Sequence, residues 1–191
     1  MTEEKKSLKL DWATLRLAVI LFAFAAVVAI ALGLVNMITK DRIAAFAAEK
    51  TAASMQAVLP AGDYQRVENS EAEKVDLVKE VYAADDKGWV VMVTPSGFGG
   101  EINMAVGVDK SGKVTGVSII SMSETSGLGA NAKRESFRSQ YIGKSGSVAL
   151  KKQGGEIDAL TGATVTSTAV TKGVNAALQA AAELMRQEAG I

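Results

Sequence analysis

The sequence predicts an α+β fold, an antiparallel sheet with covering helices, preceded by a single N-terminal transmembrane helix. Three patterns indicate this fold. Residues 17–35 contain no charged side chain. Residues 89–122 hold short apolar runs and apolar positions that alternate with small or polar ones, which is typical of strands. Residues 166–187 repeat apolar positions at three- and four-residue spacing, which is typical of a helix. Strands followed by a covering helix favour the α+β class.

The composition excludes several classes of function. Lys plus Arg and Asp plus Glu both number 21, so no net charge attracts nucleic acid. The chain has no Cys, which excludes disulfides, iron–sulfur ligation and a thiol nucleophile. It also has no His, the commonest general base and a frequent metal ligand. We therefore predict no metal site and no catalytic acid or base, and any electron transfer requires an organic cofactor.

Residues 17–35 predict a membrane span. The run is 19 residues long and, at 1.5 Å per helical residue, reaches about 28 Å, close to the hydrocarbon thickness of a bilayer. A cleaved signal peptide is the alternative, because Ala29-Ile30-Ala31 has the small-x-small form of a cleavage site. The apolar residues continue through Val35, which favours an uncleaved anchor over residues 15–38.

Basic residues around the span predict its orientation. Four precede it, namely Lys5, Lys6, Lys9 and Arg16. Three follow it within about 15 residues, namely Lys40, Arg42 and Lys50. The excess before the span favours a cytoplasmic N-terminus over residues 1–14. We thus expect a single-pass protein of the inner (cytoplasmic) membrane, with residues 63–191 as an extracytoplasmic domain.

The chain between the span and the domain is Ala-rich. Residues 39–62 favour a connecting helix, which ends in the turn sequence Pro60-Ala61-Gly62-Asp63. The domain then shows strand patterns at 89–94, 102–108 and 114–122, with a hairpin loop at 109–113. Residues 136–142 predict a short helix or turn, and residues 144–155 a small strand or loop.

A hydroxyl-rich segment precedes the C-terminal helix, which we place at about residues 166–187. Residues 158–168 read DALTGATVTST. Hydroxyl residues and a glycine before an apolar helical pattern mark a helix N-terminus. The backbone N–H groups and the dipole there favour an anion, above all phosphate. The same residues equally fit an ordinary N-cap by Thr164, Thr166 or Ser167.

Two glycine-rich loops accompany this segment. Gly97-Phe98-Gly99-Gly100 lies between two predicted strands, and Glu124-Thr125-Ser126-Gly127-Leu128-Gly129 follows a strand. Glycine lets the backbone approach a ligand closely. Neither loop matches a Rossmann or P-loop fingerprint. A hairpin turn and a strand exit are the alternative interpretations.

These motifs together resemble a known family. Asp158-x-x-Thr161-Gly162-Ala163-Thr164 is similar to the attachment motif of proteins in which a flavin transferase esterifies the last threonine, here Thr164, through the FMN phosphate. One span, the two glycine-rich loops and this motif before a terminal helix resemble the RnfG family. Its members are G subunits of Rnf ion-translocating ferredoxin:NAD oxidoreductases and are similar to the C subunit of the sodium-translocating quinone reductase. Ser126 stands where the family usually has proline, which loosens the restraint on φ in that loop.

The resemblance covers essentially the whole chain, and it implies an electron-carrier subunit rather than a stand-alone enzyme. The implied partners are other subunits of a membrane complex, the flavin transferase and the membrane itself. Covalent FMN is implied on Thr164, with Phe98 and Leu128 as candidate walls for its ring. The implied cofactor-binding residues are Thr161, Gly162, Ala163, Val165, Thr166, Gly99, Gly100, Glu124, Thr125, Gly127, Leu128 and Gly129. A non-redox extracytoplasmic sensor or assembly module, or a flavin-binding regulatory domain, remains the alternative.

Overall fold

The computed structural model describes residues 12–68 and 71–190. Residues 1–11 of the predicted cytoplasmic segment 1–14 therefore lie outside the described residues. The chain forms two compact units, which divide between Ala48 and Glu49. The first contains most of the long apolar helix. The second contains the sheet, the C-terminal helix and every glycine-rich loop.

Helix α1 (Trp12–Val58) runs without interruption through both the predicted span and the predicted connecting helix. Residues 39–58 are rich in Ala and contain no Pro, so nothing in them ends the helix; Pro60 follows directly after its end. An 18-residue window within α1 has a mean hydropathy of 3.0 and none of it is buried. The helix is therefore long and apolar enough to cross a membrane, and the boundary between span and connector stays a prediction.

Within the described residues the sheet has five strands in the order β1-β2-β3-β4-β5, each antiparallel to its neighbour. The strands are β1 (Tyr64–Arg66), β2 (Val78–Ala84), β3 (Gly88–Val93), β4 (Ile102–Asp109) and β5 (Val114–Met122). The predicted strands β3, β4 and β5 and the hairpin between the last two are confirmed. The sequence did not predict β1 and β2. β1 has three residues, and a register shift between Val78 and Glu80 removes the period of two from β2.

Helix α3 (Thr164–Ala189) covers one face of this sheet. Buried residues of α3, such as Val170, Val174 and Ala177, share one hydrophobic core with Val91 and Met104 of the sheet. The helix begins two residues before its predicted start and ends two residues after its predicted end. Its C-terminal cap is Gly190, with φ of 70°.

The other face of the sheet packs against the last turn of α1. Met55, Val58 and Leu59 form a smaller apolar cluster with Val90 and Ala105. Helical cover on both faces explains why β3 and β4 are buried almost throughout rather than at alternate positions. The predicted α+β fold with an antiparallel sheet and covering helices is confirmed.

Short helical turns connect β5 to α3. A 3-10 turn at Gly129–Lys133 leads into α2 (Glu135–Arg138) and a second 3-10 turn at Ser139–Tyr141. The predicted short helix or turn at 136–142 is thus confirmed. Residues 144–155 form a loop with a 3-10 turn at Lys151–Gln153, not a strand of the sheet.

Candidate functional site

The start of α3 carries no side-chain cap. Ala163 occupies the cap position, with φ of −136°, and no side chain there bonds a helix amide. The interpretation of Thr164, Thr166 or Ser167 as an N-cap is therefore wrong, because all three lie inside the helix. The first α-helical hydrogen bond runs from Ser167 N to Ala163 O, at 3.0 Å. The amides of residues 164–166 have no carbonyl within the helix to bond and are left for another acceptor.

Two of the hydroxyl groups in this segment are buried and already bonded. Thr166 is 1% exposed, and its Oγ1 donates to Glu124 Oε2 at 2.9 Å. Ser167 is fully buried. Its Oγ accepts from Leu160 N and donates to Ala163 O, both at 2.9 Å. These two hydroxyls hold the helix start in place and are not accessible for a reaction.

Thr164 has an exposed hydroxyl group that is free. Within the described chain its side chain makes no hydrogen bond, whereas Thr168 Oγ1 donates back to Thr164 O at 2.9 Å. Thr161 is likewise exposed and without a side-chain hydrogen bond among the described residues. Thr164 differs from Thr161 because it is the first residue of α3 and stands at the unbonded amides.

The turn before α3 favours glycine at position 162. Gly162 has φ of +73°, and a Cβ added to it would lie 3.0 Å from Leu128 Cδ2. The turn closes with a bond from Ala163 N to Leu160 O, at 3.0 Å. The conformation that delivers Thr164 to the helix start is therefore favoured by glycine and strained for a residue with a side chain.

Glu124 connects three separate segments at this site. Its Oε1 accepts from Phe98 N at 2.7 Å and from Gly99 N at 3.1 Å. Its Oε2 accepts the hydroxyl proton of Thr166. The glycine-rich loop at 97–100, the loop after β5 and the first turn of α3 thus meet at one carboxylate.

Three glycines make room for this arrangement. A Cβ on Gly97 would lie 2.1 Å from Glu124 Oε1, and one on Gly129 would lie 2.5 Å from Glu124 Oε2. A Cβ on Gly99 would lie 2.1 Å from Ser123 O. The glycines of both loops are therefore needed for close packing around Glu124. The sequence marked these loops as glycine-rich but did not show that they pack against each other, and Gly97 was not among the predicted binding residues.

A cleft of about 420 Å³ opens between these loops and the start of α3. Its volume lies within the range of roughly 300–1,000 Å³ found for sites that bind small molecules and cofactors. Its lining residues are Phe98, Glu124, Thr125, Leu128, Gly129, Gly162, Ala163, Thr164, Val165 and Thr166. All of them except Phe98 belong to the predicted set of site residues, and Phe98 was a predicted wall of the ring site.

Four predicted binding residues, Thr161, Gly99, Gly100 and Gly127, do not line the cleft. The three glycines serve the loops instead: Gly99 N donates to Glu124, Gly100 O accepts from Gly97 N at 2.8 Å, and Gly127 O accepts from Asn131 Nδ2 at 2.7 Å. Contact between these residues and a cofactor stays a prediction.

The rim of the cleft is apolar. Phe98 is 75% exposed, Val165 53% and Leu128 44%. Among the described residues from 49 onwards, Ile142 is the only other large apolar side chain that is exposed to this extent. Exposed apolar side chains gathered at one cleft are typical of a binding site.

Buried polar contacts support the helix start from beneath. The Tyr141 hydroxyl bonds Thr171 Oγ1 at 2.8 Å, and Thr171 Oγ1 donates to Ser167 O at the same distance. Burial raises the pKa of Tyr141 to about 12, against a smaller lowering by the hydrogen bond to Thr171. Tyr141 therefore stays protonated at physiological pH, and its role is structural.

Comparison with known proteins shows the family of this chain. Residues 97–179 match the FMN-binding domain family, and residues 5–58 match the RnfG N-terminal region. The G subunit of the Na(+)-translocating ferredoxin:NAD(+) oxidoreductase complex of Acetobacterium woodii is 36% identical, over 93% of this chain and 96% of its own length. The chain belongs to the RnfG family.

Other RnfG proteins show a similar relationship. The G subunit of the proton-translocating ferredoxin:NAD(+) oxidoreductase complex of Clostridium ljungdahlii is 43% identical, over 61% of this chain and 69% of its own. The G subunit of an ion-translocating oxidoreductase complex of Stutzerimonas stutzeri is 33% identical, over 81% of this chain and 75% of its own length. Among solved structures, the C subunit of the Na(+)-translocating NADH-quinone reductase from Parabacteroides distasonis has a TM-score of 0.49 and 18% identity, covering 72% of this chain and 83% of that one.

The whole cleft lies within the part of this RnfG chain that matches the FMN-binding domain, because its lining residues fall between 98 and 166. The contact between Glu124 and Thr166 was missed from the sequence. The two residues are 42 positions apart, and no pattern in a single sequence pairs them. The family match shows an FMN-binding domain over residues 97–179, and binding of FMN in this cleft stays a prediction.

Proposed function

We propose that this RnfG chain carries FMN on Thr164, through a phosphoester bond, and transfers electrons within a membrane-bound ion-translocating ferredoxin:NAD⁺ oxidoreductase. One observation carries the proposal: Thr164 has a free, exposed hydroxyl at an uncapped helix start that forms part of an apolar-rimmed cleft. The neighbouring hydroxyls of Thr166 and Ser167 are buried and bonded.

The start of α3 suits a phosphate group. The amides of residues 164–166 lack intrahelical acceptors, and the positive end of the helix dipole lies there. A phosphate on Thr164 Oγ1 would stand beside these donors, and the absence of a capping side chain leaves them available. The residues of the site therefore fit the phosphate end of FMN.

The cleft suits the flavin ring. Phe98, Leu128 and Val165 give it an apolar rim, and glycines at 129 and 162 keep its inner surface close to the backbone. When bound, FMN supplies the electron-transfer chemistry, and the protein supplies position and surroundings. The side chains of the cleft hold the ring and exclude water from part of it.

Attachment requires a flavin transferase and an activated flavin nucleotide. The Thr164 hydroxyl oxygen forms the new bond to phosphorus as the donor's phosphoanhydride bond to that phosphorus breaks. The released phosphate group keeps the electron pair of the broken bond, and the hydroxyl proton passes to solvent. Exposure of Thr164 gives the enzyme access to this oxygen. The relatives are named as subunits of oxidoreductase complexes, so we propose other subunits of such a complex as the electron partners.

In-gel fluorescence tests the attachment site. We expect the full chain, produced together with its transferase, to give a fluorescent band after denaturing electrophoresis and an intact mass that includes one FMN. Thr164→Val removes the hydroxyl and keeps the shape of the side chain, so the band is expected to disappear. Thr164→Ser keeps a hydroxyl and is expected to retain part of it.

A control variant makes this experiment specific. Thr168→Val removes a hydroxyl that lies in the same helical turn and is bonded to Thr164 O. Thr168→Val is expected to remain fluorescent, and peptide mapping of the wild-type chain is expected to find the flavin on Thr164. A fluorescent Thr164→Val chain, or a dark wild-type chain from cells that contain an active transferase, contradicts the proposal.

A further inference from the structure

We propose that Glu124 is a positioning residue of the flavin site. Its carboxylate fixes the Phe98 loop (residues 97–100) to the first turn of α3, so that the Phe98 side chain closes one side of the cleft over the flavin ring. The inference rests on the proposed function for the identity of the ring, but the fixing of the loop by Glu124 does not depend on it.

The contacts of Glu124 hold the two sides of the cleft together. Both amides at the tip of the Phe98 loop donate to one carboxylate oxygen, and the Thr166 hydroxyl donates to the other. These partners are 25, 26 and 42 residues away from Glu124 in the sequence. Hydrogen bonds to a carboxylate are stronger than those between neutral groups. Glu124 thus joins segments that are far apart in the sequence.

The space around the Glu124 carboxylate fits this side chain closely. Gly97 and Gly129 face its two oxygens so closely that a Cβ on either would collide with them. The Thr166 hydroxyl is 1% exposed, so it would be buried without a partner if the carboxylate were removed. Two glycines and one buried hydroxyl are therefore matched to a single side chain.

The Phe98 loop also has bonds that do not involve Glu124. Gly97 N donates to Gly100 O at 2.8 Å, and Ser96 pairs with Glu101 at the base of the loop. These bonds close the loop as a turn but do not tie its tip to α3. The Phe98 side chain is 75% exposed, so packing does little to fix it. Removal of the carboxylate is therefore expected to free the loop tip while the sheet stays intact.

The chain offers a matched control for this carboxylate. Asp109 Oδ1 accepts from two backbone amides, those of Ser111 and Lys113, and from the Ser111 hydroxyl. Burial acts to raise the pKa of Asp109, but these hydrogen bonds and the charge of Lys113 hold it below its usual value. Asp109→Ala removes the same kind and number of contacts in the turn between β4 and β5, where no residue lines the cleft.

Hydrogen exchange tests the fixing of the loop, with or without flavin. In the full chain in detergent, we expect the amides of Phe98 and Gly99 to exchange about threefold faster or more in Glu124→Ala, because their acceptor is lost. Glu124→Gln keeps a side-chain oxygen that accepts hydrogen bonds from both amides, and its NH₂ group can donate a hydrogen bond to the Thr166 oxygen. Slow exchange of the two amides is therefore expected to return in this variant. Unchanged exchange in Glu124→Ala overturns the proposal.

Flavin accessibility tests the consequence for the ring. On the flavin-bearing fraction, we expect quenching of flavin fluorescence by iodide to increase about threefold or more in Glu124→Ala and to return to the wild-type level in Glu124→Gln. Asp109→Ala is expected to match wild type. Phe98→Ala removes the side chain that covers the ring and is expected to show the same increase in iodide quenching as Glu124→Ala. If the transferase does not attach flavin to Glu124→Ala, quenching in Phe98→Ala still tests whether this side chain covers the ring.

The outcomes separate this inference from the proposed function. A dark wild-type chain contradicts the flavin attachment, while the exchange result still decides whether Glu124 fixes the loop. A flavin-bearing wild type with unchanged quenching in Phe98→Ala, or in a loaded Glu124→Ala chain, overturns the inference and leaves the attachment standing. Equal effects of Asp109→Ala and Glu124→Ala on quenching also overturn it, because they indicate a general loss of stability.

Discussion

At the scale of single residues, hydroxyl groups close in sequence have different environments. Thr164 and Thr166 are two positions apart, yet Thr164 is exposed and Thr166 is buried against Glu124. An α-helix has about 3.6 residues per turn, so residues two positions apart face different directions. The sequence placed Thr164 at the end of a motif by resemblance, and burial of Thr166 and Ser167 supports the same choice on physical grounds.

Gly162 gives a prediction at this scale. Gly162→Ala places a Cβ at φ of +73° and 3.0 Å from Leu128 Cδ2. We expect the free energy of unfolding to fall by about 1–2 kcal/mol from the backbone conformation alone, and flavin loading to fall as the turn shifts Thr164. Chemical denaturation and in-gel fluorescence measure the two effects.

Gly146→Ala is the control for this substitution. Gly146 has φ of +70°, but a Cβ there would meet no atom within 4 Å. The Gly146→Ala variant is expected to show a similar fall in the free energy of unfolding. Its flavin loading is expected to match wild type, because Gly146 lies outside the cleft. Wild-type loading in Gly162→Ala contradicts the role of the turn.

At the scale of secondary-structure elements, the last turn of α1 packs tightly on the sheet. Thr115 Oγ1 donates to Val58 O at 2.6 Å. A Cβ on Gly107 would lie 2.6 Å from the same oxygen, and one on Gly116 would lie 2.9 Å from Val58 Cα. Two glycines on adjacent strands thus create the space into which the end of the helix fits, a contact that the sequence did not predict.

Gly107→Ala is expected to disturb this contact. The added Cβ meets backbone at Val58, which cannot move cheaply, so we expect the free energy of unfolding to fall by about 1–3 kcal/mol, as in other overpacked sites. Exchange of the amides of residues 49–58 is also expected to become faster. Denaturation of the full chain in detergent and mass-resolved hydrogen exchange measure these effects. Gly33→Ala is the control, because a Cβ there meets no atom within 4 Å, and an equal loss in both variants contradicts the expectation.

At the scale of the whole molecule, the chain combines an apolar helix with a domain that has its own core. The unit from Glu49 onwards contains both hydrophobic clusters and the complete cleft. The unit before it consists, among described residues, of helix alone, and its large apolar side chains are exposed. This division agrees with a membrane anchor that precedes a folded domain.

Single-cysteine labelling tests the predicted orientation. The natural chain has no Cys, so an introduced one is the only thiol. Asp86, between β2 and β3, has a fully exposed side chain. With a membrane-impermeant maleimide on intact cells, we expect Asp86→Cys to be labelled and Ser7→Cys to be labelled only after the membrane is opened. The reverse pattern contradicts an extracytoplasmic domain.

Patterns among neighbouring residues are enough to predict several parts of the fold. The apolar run, the hairpin between β4 and β5 and the stripe of α3 each follow from the periodicity of neighbouring residues. The structure added β1 and β2, whose signals are weakened by short length and by a bulge. It also joined the predicted span and connector into one helix.

The sequence revealed the motifs one by one but did not show that they lie close together in space. Glu124, Phe98 and Thr166 each belong to a different segment, and only the folded sheet and α3 bring them within hydrogen-bond distance. The absence of a cap at α3 and the burial of Thr166 likewise depend on packing by distant residues. Local periodicity is set by backbone geometry, so it can be recognised from neighbouring residues. Contacts across a cleft depend on how separate elements pack, so they can be seen only in the folded chain.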